Sequence, residues 1–203
     1  MELTYDAINE AWEGVSNVFI TMCQPIITQG RPYYILENVL LHINYPRINS
    51  DWNCICIWNH DNCKRYIDAV HPNKEYEIGR LFCYGRSKVN QFELITEKIR
   101  RNSQACYVAV CMDPEQDLLQ RDSQTCLGQI DIVVNNRVLN MKATFSMMNL
   151  FTYGLLDIYQ LARVQERLCM AAGCEKGKLS LFVSAVVMSD INKVMFEEIC
   201  RHD

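Results

Sequence analysis

The segment LFTYGLLDIYQLARVQERLCMAAG, residues 150 to 173, constrains the fold more than any other part of the chain. Its first half is apolar on nearly every face, and its second half is amphipathic. A helix that is apolar all round has to be enclosed by the rest of its domain. The other elements are therefore expected to wrap around a central helix. Gly173 supplies a stop, because glycine takes the left-handed conformation that ends many helices. No run of eighteen apolar residues is present, so no membrane span is expected.

Around that segment the hydrophobic period shortens to two. Residues 127 to 134 and 138 to 147 read as two strands flanking NNR, a turn signal. CYVAVCM (106 to 112) reads as a buried strand, YYILENVLLHINYP as extended chain, residues 51 to 58 as a further strand and KGKLSLFVSAVVMS as a last one. TQGRP, 28 to 32, is a turn. Helical spacing appears in residues 5 to 22 through Ile8, Trp12, Val15, Val18 and Phe19, and in 91 to 101 through Phe92, Ile95 and Ile99. Residues 61 to 70 predict a short helix, and DINKVMFEEICRH a last one that Asp190 would cap.

No repeat or Pro/Gly/Ser linker divides the chain. At 203 residues, 49% of them hydrophobic, one domain spanning 1–203 with a core of its own is expected. The class is α+β, with one large mixed sheet packed against the long central helix.

The formal charge is −4, which argues against the basic face of a nucleic-acid binder. The N-terminal MELTYDAINEAWEG lacks the apolar core of an export signal, so a cytoplasmic protein is expected. Eleven cysteines are then expected to be thiols rather than disulfides. The densest group, Cys54, Cys56, His60 and Cys63, lacks the paired spacing of a zinc site. Cys54 and Cys56 share one face of a strand instead, and no metal is expected.

Two residues invite a chemical reading. Asp157 is the one carboxylate in the apolar half of the central segment, and burying it is costly without partners. It points into a polar cleft, or else lies on an exposed stripe or bonds to nearby backbone. Cys126 ends a polar loop and opens a strand, where reactive side chains are commonly displayed. A thiol becomes a nucleophile beside a cation or a helix N-terminus, and Arg121 is the nearest cation upstream. Ten other thiols compete with it, and none of His42, His60, His71 or His202 shares a motif with it.

CYGRSKVNQFELITEKI, TCLGQIDI, NNRVLNMKATFSMMN and LCMAAGCEKGKL occur in one order along residues 80 to 195. In this the chain resembles the thymidylate synthases and their pyrimidine hydroxymethylase relatives, as a divergent member. QGRPYYILENVLLHI extends the resemblance more loosely toward the N-terminus. It implies a thymidylate synthase-like fold that dimerises through its sheet, with 5,10-methylenetetrahydrofolate as the one-carbon donor. Cys126 falls on the nucleophile that adds to C6 of the pyrimidine, and Tyr84 on a tyrosine near the pocket. Asp157 falls where thymidylate synthases have an asparagine and cytosine hydroxymethylases an aspartate.

The departures concern the nucleotide tail. In the family's Arg-Ser-x-Asp motif, Ser146 replaces the phosphate-binding arginine, Met147 the serine and Asn149 the aspartate. The paired arginines from the other subunit align near NSQAC, with Arg100 and Arg101 a few residues early. The ribose-binding His-x-Tyr falls on Val186 and Met188. A phosphate without guanidinium partners loses its strongest contacts, so the resemblance implies an unphosphorylated, cytosine-like substrate. Arg31, Arg86, Arg101 and Arg121 are the remaining candidates for a phosphate or for activating the thiol. The expected function is folate-dependent hydroxymethylation or methylation at C5 of the ring. The alternative is a non-catalytic relative kept as a binding or partner subunit.

Overall fold

The computed structural model describes residues 1–28, 31–48, 77–85, 88–118, 126–189 and 194. In chain order it comprises β1 (Glu2–Tyr5), α1 (Ile8–Met22), β2 (Pro25–Thr28), β3 (Arg31–Ile43), a 3-10 turn (Glu77–Leu81), α2 (Gln91–Arg101) and β4 (Ala105–Val110). A single helical turn (Pro114–Asp117), β5 (Leu127–Asn135), β6 (Val138–Asn149), a π-helical turn (Leu150–Gly154), α3 (Leu155–Ala172) and β7 (Glu175–Ser189) follow. The seven strands form one mixed sheet ordered β1-β3-β7-β6-β5-β4, with β2 paired to β3. The class is mixed α+β.

The centre of the sheet explains the central helix. β6 and β7 are parallel neighbours, and parallel neighbours need a crossover connection. α3 is that crossover. Its first two turns bury Leu155, Leu156, Ile158, Tyr159, Gln160, Leu161 and Ala162. Beneath it the strands alternate inward through Ile130 and Ile132, Leu139 and Met141, and Leu179 and Leu181, none more than 2% exposed. Gln165, fully buried, donates from Nε2 to the carbonyls of Leu139, Gly177 and Lys178 at 3.0, 3.2 and 3.1 Å. That one amide fixes α3 against both strands. Gly173 ends the helix with φ 69°, as its position in the sequence implies.

α1 and α2 follow the apolar spacing. α1 buries Ile8, Trp12, Val15 and Phe19. α2 buries Ile95 and Ile99, while Phe92 stacks on Phe82 at 5.1 Å between ring centroids. Asn90 caps α2 by accepting from the Glu93 N–H at 3.1 Å. The β5–β6 hairpin turns at Asn136 and Arg137, both at positive φ, 49° and 65°, as a primed two-residue turn requires. The Arg137 guanidinium also donates to the last carbonyls of α2, those of Ile99 and Arg100, at 3.3 Å.

One expectation is corrected. Residues 106 to 112 do not form a strand buried on both sides. Among the described residues β4 lies at one edge of the sheet, and Cys106, Val108 and Val110 are exposed on the face away from the helices. Val133 of β5 is also exposed, and an Asp131–Lys142 ion pair at 3.2 Å lies beside it. The exposure belongs to a sheet face that no described helix covers, on the interior strand β5 as well as on β4.

The expected strand at 51–58, the short helix at 61–70, the Cys54–Cys63 cluster and Asp190 lie outside the described residues, as does the last helix apart from the helical Val194. Among the described residues no helix is long and apolar enough to cross a membrane.

Candidate functional site

A cavity of about 390 Å³ opens where β5 begins, β6 ends and α3 passes over them. β6 gives way to the π turn here. Asn149 caps that turn, its Oδ1 accepting from the Thr152 N–H at 3.1 Å. Trp12 of α1 donates its indole N–H to the Leu150 carbonyl at 3.0 Å. Single π turns are frequent at functional sites, because they re-aim side chains out of the regular helical register. The turn directs Asn149 and Tyr153 to the cavity.

α3 supplies the polar edge. Tyr153, Asp157, Gln160 and Leu161 all line the cavity, with the spacing that puts residues on one helical face. Asp157 is half-buried and Gln160 is only 5% exposed. The walls are apolar: Leu127, Phe145, Met148 and Val187. Tyr33 of β3, Ile78 of the 3-10 turn and Met147 of β6 also line it. None of the described lining residues is Lys, Arg or His.

Cys126 lines the same cavity from the start of β5 and is half-buried. Its carbonyl accepts from the Ser146 N–H at 2.8 Å and from the Ser146 hydroxyl at 3.4 Å. β6 therefore holds the backbone that carries the thiol.

The chain leading toward Cys126 is braced by a buried ion pair. Arg80 donates from Nη2 to Asp117 Oδ1 at 2.7 Å and from Nη1 to Asp117 Oδ2 and the Cys111 carbonyl. Asp117 Oδ2 also accepts from the Asp113 N–H at 2.8 Å. Gln91 pairs with both main-chain groups of Val110 at 2.9 Å. The N–H groups of Cys111 and Met112 both donate to the Gly128 carbonyl, two residues past Cys126, at 2.9 and 3.0 Å.

The structure thus brings Cys126, Asn149 and Asp157 to one cavity and leaves other expected residues away from it. Tyr84 is not in the lining. Its hydroxyl donates to the Met112 carbonyl at 3.0 Å, and burial, then Asp113, raises its pKa. Ser146 is exposed and acts through its backbone contact with Cys126. Arg31 is exposed outside the lining, and Arg101 is exposed on α2 near Glu97 at 3.9 Å. Arg86 and Arg121 lie outside the described residues. On β7 it is Val187 that lines the cavity, while Val186 and Met188 are buried on the other side of the strand.

Gln160, Tyr33 and Tyr153 line the cavity without being expected there from the sequence. Gln160 carried a signal, being the second polar residue in GLLDIYQL. The tyrosines carried none, because their approach depends on how the strands and the π turn fold.

No family model matches the chain, and no curated protein matches it. The lining combines apolar walls with a carboxylate, two amides and a thiol, the mixture of apolar surface and a few polar groups typical of small-molecule sites.

Proposed function

We propose that the protein transfers a one-carbon unit to C5 of an unphosphorylated, cytosine-like ring, through a covalent bond between Cys126 and the ring. The observation that carries this reading is the convergence of Cys126 and Asp157 on one apolar-walled cavity. Asp157 accepts from an exocyclic amine, which a cytosine-like ring has and a uracil-like ring lacks. The Cys126 sulfur bonds to C6, the C5–C6 π pair moves to C5, and C5 becomes the nucleophile. Loss of the C5 proton, then addition of water or of a hydride from the reduced folate to the transferred methylene with departure of the sulfur, would restore the ring.

A reduced folate carrying a methylene group would supply the carbon. Tyr153 and Met147 (39% and 44% exposed) would offer it apolar surface and the Asn149 amide a polar contact, with no described Lys, Arg or His in the lining to meet its carboxylates. The absence of Lys or Arg among the described lining residues supports a ligand without phosphate. A homodimer through the sheet belongs to the same reading, supported by Val108, Val110 and Val133, exposed by 52%, 38% and 43%. Light scattering that returned the 23.6 kDa monomer at micromolar concentration would reject the dimer.

The decisive experiment incubates the protein with cytidine and methylenetetrahydrofolate and follows product by mass spectrometry. A 5-hydroxymethyl or 5-methyl product that disappears in Cys126→Ala supports the proposal. Equal product from that variant removes it. A non-catalytic binding subunit is the second reading, favoured by the lack of Lys, Arg or His in the described lining. It predicts cytidine binding without product.

A further inference from the structure

We infer that Gln160 is a second ring-reading residue, anchoring the carbonyl at ring position 2 while Asp157 takes the amine at position 4. The inference rests on the pyrimidine reading above. Asp157 can only accept hydrogen bonds when ionised, so it cannot hold a ring carbonyl. A carbonyl needs a donor from elsewhere in the lining. Asn149 keeps its Nδ2 donors but is anchored at the π turn, its Oδ1 accepting from the Thr152 N–H, and the reading above assigns its amide to the folate. Tyr153 is 39% exposed and belongs to the rim. Gln160 is 5% exposed, lines the cavity and carries two N–H donors.

Gln160 also stands at the right separation. It lies three residues beyond Asp157 on the same face of α3, which sets their Cβ atoms about 5–6 Å apart. Positions 2 and 4 of a pyrimidine are flanking substituents on one edge of the ring, with N3 between them. Two side chains one helical turn apart meet that edge together. Division of labour follows: Asp157 decides which group is accepted at position 4, and Gln160 contributes equally to every 2-oxo pyrimidine.

The test is equilibrium binding of cytidine, uridine and 2-thiocytidine to the full chain and to Gln160→Met, with melting temperature as a folding control. Met keeps the length of the side chain and removes its donors. Wild type is expected to prefer cytidine over 2-thiocytidine, because sulfur is the weaker acceptor. Gln160→Met should bind cytidine and uridine at least tenfold more weakly, keep their ratio and lose the preference against the 2-thio ring. Gln160→Glu, which keeps the shape and loses the donors, should repeat the loss and decides the matter if the Met variant does not fold. Unchanged cytidine affinity in these variants overturns the inference, and so does an altered cytidine-to-uridine ratio in Gln160→Met. Wild type binding neither nucleoside overturns the pyrimidine reading itself, a result distinguishable from failure at Gln160 alone.

Discussion

The backbone N–H of Ser146 donates to the carbonyl of Cys126 at 2.8 Å. Ser146 thus holds the candidate nucleophile through the sheet ladder, and its side chain stays outside the cavity. This separates two roles that one arginine-bearing position would combine. The register between β5 and β6 places the thiol, and substitution of the Ser146 side chain leaves that register alone.

Asp157→Asn is expected to move binding preference from cytidine toward uridine. An amide can donate to a carbonyl at position 4, whereas a carboxylate cannot. A buried polar group left unpaired by the wrong ring is penalised strongly. The cytidine-to-uridine affinity ratio should fall by tenfold or more, about 1.4 kcal/mol. An unchanged ratio, measured by calorimetry, would show that Asp157 does not read the ring.

Thiol labelling should order the cysteines by environment. Burial pushes the Cys169 thiol up to about 11, with Cys174 adding to the shift. A thiol with that pKa is almost wholly protonated at pH 8 and should resist iodoacetamide until the protein unfolds. Cys126 should be alkylated first, ahead of the exposed Cys106. Peptide mapping after brief treatment checks the order, and slow labelling of Cys126 would count against a catalytic thiol.

The Cys169 environment also sets a pH dependence. The unfolded chain releases this proton near 9.0, whereas the folded protein holds it to about 11. The folded state therefore binds more protons between those values, and stability should fall as pH rises from 9 to 11. Lys176 acts in the opposite sense. Burial lowers its pKa, and its ammonium donates to the Pro46 carbonyl at 2.8 Å. Chemical denaturation across this range should show a shallower decline in Cys169→Ala and a steeper one in Lys176→Met than in wild type.

Breaking the Arg80–Asp117 pair should be costly. The two side chains are 7% and 0% exposed, and removing one partner strands a buried charge at a cost of about 3–5 kcal/mol. Asp117→Asn should lower the urea midpoint accordingly. The double variant Arg80→Met with Asp117→Leu should recover much of the loss, because apolar replacements of similar volume leave no charge behind. Equal destabilisation in single and double variants would show that the hydrogen bonds to Cys111 and Asp113 matter more than the charges.

Period and punctuation made much of the architecture legible. Ile95 and Ile99 recur at helical spacing, and α2 spans Gln91–Arg101 as that pattern implies. Asn136 and Arg137 turn where NNR interrupts two alternating runs, and α3 ends at Gly173. Such features depend on residues a few positions apart, so local chemistry decides them. Which valines the helices cover was not legible: Val108 and Val110 are apolar in any context, and only the packing of the helices on one side of the sheet leaves them uncovered.

The site divides in the same way. The sequence by itself marked Asp157, as the lone carboxylate in an apolar helical half, and Cys126, as the residue at a loop's end. It determined that α3 would be enclosed, because an apolar helix cannot remain in water. Tertiary structure decided that Cys126, Asn149 and Asp157 share a cavity and that Tyr84 and Ser146 stand outside it. It also decided that Gln160, Tyr33 and Tyr153 join them. These choices follow from the β5–β6 register, the parallel crossover through α3 and the π turn at Leu150–Gly154. Each depends on backbone pairing between residues far apart in the chain, where no local pattern of side chains reports who the neighbour will be.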